Sequence, residues 1–136
     1  MRMKIALATA VTLSAVAMPS QAGCMRCGPI QNVTDATVST ASGKALGSDD
    51  VRKAILRAGT TLGWKMTADA PGKITGQLDV RKHSAVVEIP YSAKSYSINY
   101  KSSVNLEAGS DGTIHNNYNG WVKNLARGID AQLIGY

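Results

Sequence analysis

The clearest pattern along the chain is the helical spacing of apolar residues near its C-terminus. Residues three and four positions apart lie on the same face of a helix, so this spacing predicts an amphipathic helix that packs on a core. The apolar positions are Tyr118, Trp121, Val122, Leu125, Ile129 and Leu133. Asn116, a residue type that caps helices well, is the predicted N-cap.

A second, shorter amphipathic helix is predicted to start at Ser48. Asp49 and Asp50 follow it, and acidic side chains interact favourably with the positive end of the helix dipole. Gly63 is the predicted stop. The apolar positions at helical spacing are Val51, Ala54, Ile55, Ala58 and Leu62.

Between the two helices, apolar and polar residues alternate, which is the pattern of half-buried strands. The alternation covers residues 64–69, 74–81, 85–91 and 96–101, with turn-forming residues between them. Ile30–Val33 can form a further short strand. Strands joined by short turns form an antiparallel meander, and its apolar face needs a cover. We therefore expect an α+β fold in which a β-meander of about four strands carries two amphipathic helices on one face.

The N-terminal residues have the pattern of a secretory signal peptide. Two basic residues precede an apolar stretch, and a small-residue cleavage box ends at Ala22. The apolar stretch is shorter than the roughly 20 residues of a membrane-spanning helix, and no later stretch approaches that length. We predict a signal peptide at 1–22, an N-terminal segment with two cysteines at 23–47, a compact α+β domain at 48–136, and a periplasmic location.

Charge and composition restrict the classes of function. The chain has 15 basic and 9 acidic residues, and removal of the two basic residues of the leader leaves 13 against 9, a formal charge of +4. The cations are spread without a dense run, and the export signal separates the domain from nucleic acid, so we expect no nucleic-acid partner. Hydrophobic residues make up 44% and charged residues 18% of the chain, which is typical of a globular domain.

Cys24 and Cys27 form a Cys-x-x-Cys motif directly after the predicted cleavage point, and three interpretations are open. The first is lipid attachment to Cys24, as in an outer-membrane lipoprotein. Ala22 and Gly23 fit the required lipobox, but Gln21 stands where Leu is expected. The second is ordinary cleavage after Ala22, which leaves both thiols in an oxidising space where a disulfide between them can form.

The third interpretation is a redox or metal site. A thioredoxin-like site needs the motif at a strand-to-helix junction, whereas here Gly28 and Pro29 follow it near a chain terminus. A zinc site needs four ligands, and only His83 and His115, both far along the chain, could complete it. We therefore expect no metal and no cofactor, and membrane contact only if Cys24 is lipidated.

Polar residues from two regions of the chain are candidates for one binding site. They are Arg81, Lys82 and His83 at a predicted hairpin, and His115, Asn117 and Asn119 around the start of the last helix. A helix N-terminus offers free amide donors, and nearby Arg and Lys would complete a site for phosphate or carboxylate. Turns and caps also select these residue types, so a purely structural role is the simpler interpretation.

Two hypotheses of function follow. The first is a non-enzymatic binding or structural module that binds an envelope protein or an anionic envelope ligand, through a sheet edge or the corner at 81–83. The second is an envelope hydrolase that acts on peptidoglycan or a lipid headgroup with His83 or His115 as base. We expect the first, because no nucleophile-elbow or calcium-loop sequence is present. A histidine in a deep cleft beside Asp79 or Glu88 would favour the enzyme.

Four motifs follow one another in the second half of the chain: RKHSAVVEI at 81–89, YSINY at 96–100, SVNL at 103–106 and IHNNYNGWV at 114–122. In this joint order they resemble a family of small exported proteins, often lipoproteins, from Gram-negative bacteria. The resemblance spans roughly residues 50–133 and implies an α+β domain in the cell envelope. It carries over no catalytic residue.

Overall fold

The computed structural model describes residues 24–136, so the predicted leader at 1–22 lies outside the described residues. The elements in chain order are β1 (Cys27–Pro29), β2 (Val33–Thr37), α1 (Ser48–Thr61), β3 (Lys65–Ala70), β4 (Lys73–Val80), β5 (His83–Pro90), β6 (Ser95–Val104), β7 (Thr113–His115) and α2 (Asn116–Ile134).

Five strands form one antiparallel sheet in the order β2-β6-β5-β4-β3. The run from β3 to β6 is the predicted meander, and β2 is added at its edge. Gly72 in the β3–β4 turn has a φ of 83°, a conformation that glycine adopts without strain. The two helices cover one face of this sheet, so the predicted α+β architecture is confirmed.

Helix α1 begins and ends close to the predicted residues. Gly47 is its N-cap, and the Gly47 backbone N–H donates to Asp50 Oδ2 at 3.3 Å. Gly63 has a φ of 88° and ends the helix, as expected. Leu62, predicted on the apolar face, is the C-cap and stays 42% exposed because the helix has ended there.

The prediction of a short strand at Ile30–Val33 is wrong. Residues 30–32 connect β1 to β2, and Val33 is the first residue of β2. The backbone N–H of Ile30 donates to the carbonyl oxygen of Gly112 at 2.9 Å, and that of Gln31 donates to Asn119 Oδ1 at 3.0 Å. These donors are therefore used by a loop and a side chain instead of a strand ladder.

The polar segment before the last helix contains strand β7, which the sequence did not predict. β7 pairs with β1 in a separate two-stranded antiparallel ladder. Strands of three residues are too short to show alternation, so hydrophobic pattern cannot find them. The ladder fastens the N-terminal segment to the start of α2.

The prediction that Asn116 is the N-cap of α2 is wrong, because His115 occupies that position. His115 Nδ1 accepts the backbone N–H of Asn117 at 3.1 Å. The backbone N–H of Asn116 donates to the carbonyl oxygen of Arg26 at 2.8 Å, and Asn116 is the first helical residue. The cap therefore forms together with the attachment of the N-terminal segment.

One core lies between the sheet and the helices. The apolar face of α2 is buried as its periodicity predicts, with Tyr118 and Leu125 fully buried and Trp121 partly buried. Ile74 of β4 and Ile89 of β5 belong to the same core and are also fully buried. Within residues 24–136, no helix is long and apolar enough to cross a membrane.

Candidate functional site

The β1–β7 ladder places the Cys-x-x-Cys motif beside the N-terminus of α2. Cys27 lies directly opposite His115 in the ladder. Side chains of directly opposed residues project to the same face of an antiparallel pair. Two residues 88 positions apart in the sequence are thus brought side by side.

Cys24 and Cys27 are joined by a disulfide, with their Cα atoms 5.2 Å apart. Glu107 Oε2 lies 3.8 Å from Cys27 Sγ. A disulfide sulfur carries no hydrogen, so this approach is a contact and not a hydrogen bond. With both sulfurs bonded to each other, Cys24 has no free thiol for an acyl chain.

His83 is held at the first position of β5 by the segment that follows β6. Its Nδ1 lies 2.8 Å from the carbonyl oxygen of Asn105. A carbonyl oxygen can only accept, so Nδ1 carries the proton and Nε2 keeps a free lone pair in the neutral ring. Asn105 Nδ2 in turn donates to the carbonyl oxygen of Lys82 at 2.7 Å. The two bonds tie the β4–β5 turn to Asn105.

His115 is held in the opposite tautomer. Its Nδ1 accepts the backbone N–H of Asn117, so the proton of the neutral ring is on Nε2. His115 therefore offers a donor at Nε2 where His83 offers an acceptor. The two tautomers differ because Nδ1 faces a backbone carbonyl oxygen in His83 and a backbone N–H in His115.

Both histidines line one open depression of about 410 Å³. We call this surface the disulfide corner. Its lining residues are Cys24, Met25, Arg26, His83, Asn105, Glu107 and His115. Glu107 is the single acidic side chain in this set, and the Met25 side chain at the tip of the disulfide loop is fully exposed.

Of the other predicted binding residues, Arg81, Lys82 and Asn117 are exposed and Asn119 is buried. Arg81 and Lys82 form the exposed β4–β5 turn directly before His83, and Arg81 has a φ of 56°. Asn117 is exposed in the first turn of α2. Asn119 is 5% exposed, so it is not open to a ligand.

The amide of Asn119 has a structural task. Its Oδ1 accepts the backbone N–H of Gln31, and its Nδ2 donates to the carbonyl oxygen of Pro29, each at 3.0 Å. Both partners belong to the segment that runs from β1 to β2. Asn119 thus fastens this segment to α2.

The carboxylates considered as partners for a histidine base lie on the sheet face away from the helices. Lys73 and Lys101 each approach Glu88 Oε1 at 3.2 Å, and these contacts lower the pKa of Glu88. A hydrogen bond from Gln77 lowers the pKa of Asp79. The carboxylate that lines the disulfide corner is Glu107, which sequence patterns did not single out.

Comparisons with models of known protein families, with curated proteins and with solved structures find no match to this chain. The resemblance to small exported proteins therefore stays a prediction from the motifs.

Proposed function

We propose that this protein is a non-enzymatic binding module of the periplasm that holds an anionic group, phosphate or carboxylate, at the disulfide corner. The observation that carries the proposal is that two hydrogen-bond donors line this depression. Arg26 and the Nε2–H of His115 belong to the same depression. Charged donors and imidazole N–H groups form the strong hydrogen bonds that recognise phosphate and carboxylate.

The charge around the depression supports an anionic ligand. Arg81 and Lys82 are exposed in the turn next to His83. Helix α2 has no acidic residue in its first turn, so the partial positive charge of its N-terminus is not compensated within the helix. Glu107 opposes this charge, but it is one carboxylate beside Arg26 in the depression and Arg81 and Lys82 in the neighbouring turn.

A periplasmic location is supported by the leader pattern and by the paired cysteines. Disulfides persist in oxidising compartments and are rare where thiols are kept reduced. A disulfide between Cys24 and Cys27 also favours a protein without a lipid anchor at Cys24.

The surroundings of the histidines favour binding over hydrolysis. Neither Ser84 nor Ser103 lines the disulfide corner, and the Ser103 hydroxyl is hydrogen-bonded to that of Tyr100 at 2.8 Å. A serine hydrolase needs its serine hydroxyl within hydrogen-bond reach of the histidine base. The corner is also open to solvent, which weakens electrostatic catalysis.

The proposal is tested by backbone amide NMR of the exported, oxidised protein. We expect saturable shifts at Arg26, His83 and His115 on titration with inorganic phosphate. Vesicles of phosphatidylcholine with phosphatidylglycerol, compared with phosphatidylcholine alone, distinguish a lipid headgroup from a free phosphate. If only the anionic vesicles perturb the corner, the ligand is a headgroup.

Two charge-matched double variants provide the control. R26Q/K82Q should weaken phosphate binding at least about fivefold, because a hydrogen bond to a charged group contributes roughly 1 kcal/mol or more. K53Q/R57Q removes the same charge from the exposed side of α1 and should leave binding unchanged. Equal losses in both variants, or no saturable shift with any probe, would refute the proposal.

A further inference from the structure

The disulfide corner also contains the side-chain types of a transition-metal site. Among the described residues, one sulfur each from Cys24 and Cys27 and a carboxylate oxygen of Glu107 all lie within 4.8 Å of one another. The Cys-x-x-Cys spacing is the usual half of a zinc site. His83 and His115 lie far from the cysteines along the chain, but the fold brings both histidines to the depression that the cysteines line.

His83 is oriented as a ligand by its backbone partner. A metal-bound imidazole typically donates its other ring N–H to a carbonyl or carboxylate, which fixes the tautomer and the ring orientation. The Nδ1–H of His83 donates to the carbonyl oxygen of Asn105 at 2.8 Å, so Nε2 has the free lone pair. Neither imidazole belongs to the 4.8 Å group, so Nε2 must approach the sulfurs when an ion binds.

Neither ring nitrogen of His115 has a free lone pair for a metal ion. Its Nδ1 accepts the N–H of Asn117 in the α2 cap, and its Nε2 carries the proton. Coordination through either nitrogen would break the cap or require the other tautomer. The two histidines of one surface are therefore distinguishable by experiment.

We propose that the reduced protein binds Zn²⁺ at the disulfide corner through the thiolates of Cys24 and Cys27, the carboxylate of Glu107 and Nε2 of His83. Two thiolates, an imidazole and a carboxylate form a four-ligand set that zinc accepts. The carboxylate disfavours Cu⁺, which prefers thiolate and thioether ligands. The inference goes beyond the proposed anion binding and does not rest on it, because it concerns the reduced protein.

The disulfide is the switch of this site. A dithiol reductant gives two electrons and two protons to the Cys24–Cys27 disulfide, and the reductant is itself oxidised to a disulfide. Two thiols result. Binding of Zn²⁺ then releases both thiol protons to solvent, because the thiolate is the metal ligand. Exchange with an oxidised dithiol, which takes up the two electrons as its own disulfide is reduced, would re-form the Cys24–Cys27 disulfide and expel the ion.

The test is a metal titration of the exported protein, reduced anaerobically with a phosphine. Co²⁺ is the probe, because thiolate coordination gives charge-transfer absorption and tetrahedral geometry gives intense visible bands, and added Zn²⁺ should abolish both. We expect these bands in the reduced protein and none in the oxidised protein or in C24S/C27S. Amide spectra of residues 30–136 check that each variant remains folded.

Single variants test the ligand set. E107Q and H83Q should each weaken Co²⁺ affinity at least about tenfold, since even losing the partner of a ligand costs that much. H115N keeps a side-chain acceptor at the helix cap and should bind like the wild type. M25A should also bind like the wild type, whereas a loss in M25A would indicate a thioether ligand and overturn the assignment.

The proposal is overturned by binding that survives C24S/C27S, by reduced protein that remains folded and shows no bands, or by unchanged affinity in E107Q or H83Q. Loss of affinity in H115N together with unchanged affinity in H83Q would show that His115, and not His83, is the imidazole ligand. The phosphate titration uses oxidised protein, so failure of one proposal leaves the other standing.

Discussion

At the scale of single residues, two buried tyrosines differ in whether the hydroxyl has a hydrogen-bond partner, and this difference changes how much each side chain stabilises the fold. Tyr118 and Tyr96 are both buried, and their rings fill the core where a chain without Phe has few other large residues. The Tyr96 hydroxyl donates to Asp130 Oδ1 at 2.8 Å. The Tyr118 hydroxyl has no hydrogen-bond partner among the described residues, and burial raises the pKa of this group, so it remains a protonated donor.

This contrast predicts opposite effects of the same substitution. Y118F should leave the free energy of unfolding unchanged or raise it by up to about 1 kcal/mol, because it removes a buried polar group without a partner. Y96F should lower it by about 1 kcal/mol, because it removes a hydrogen bond to a carboxylate. Urea unfolding of the two variants measures both values. A larger loss in Y118F than in Y96F would contradict this assignment of partners.

At the scale of elements, the two helices contain glycines in opposite environments. Gly120 lies in α2, and a Cβ added there would meet no atom within 4 Å. Gly59 lies in α1, and a Cβ added there would overlap the side chain of Met66 on β3. Gly59 therefore allows the close approach of helix and strand, whereas Gly120 has no such role.

The same substitution, glycine to alanine, should therefore have opposite effects on stability at the two positions. G120A should raise the free energy of unfolding by about 0.5–1 kcal/mol, because alanine loses less backbone entropy in a helix. G59A gains the same propensity but forces Met66 to move, so we expect a net loss of about 1 kcal/mol or more. Denaturant titration compares the two variants. Stabilisation in G59A would show that α1 and β3 are not packed as closely as described.

The long elements of the fold were predictable from the sequence, and the short ones were not. The helices and the meander follow from periodicity, because their apolar residues recur over many turns and strands. The β1–β7 ladder does not, since its three-residue strands show no alternation and its register depends on tertiary contacts. The α2 cap at His115 was also not predicted, because it depends on a tertiary contact. Asn116 is the better capping residue by type, but its backbone N–H donates to the carbonyl oxygen of Arg26, and Asn116 is the first helical residue.

At the scale of the whole molecule, the disulfide corner is a product of chain topology. Sequence patterns identified the histidines and the cysteines as separate candidates, but their separation along the chain gave no reason to combine them. Asn105 lies in the SVNL motif at 103–106 and Glu107 follows directly after it, but polar residues after a predicted strand are ordinary loop residues and do not indicate a site. Both have positive φ values, of 58° and 54°, and this feature becomes visible only in the folded chain.

The proposals of function depend on this topology. Anion binding by the oxidised protein and zinc binding by the reduced protein both require the N-terminal segment to be fixed on the α+β domain. If the segment at 24–29 were detached, Arg26 and the cysteines would be separated from His83, His115 and Glu107. Both proposals therefore require this attachment.

The most direct test is a nuclear Overhauser spectrum of the oxidised protein. We predict cross-peaks between protons of Cys27 and His115, which are opposed in the β1–β7 ladder, and between the His83 ring and residues 105–107. Such cross-peaks report protons within roughly the distance of directly opposed strand residues. A spectrum in which residues 24–29 show only contacts to their own sequence neighbours would show that the segment is not attached to the α+β domain.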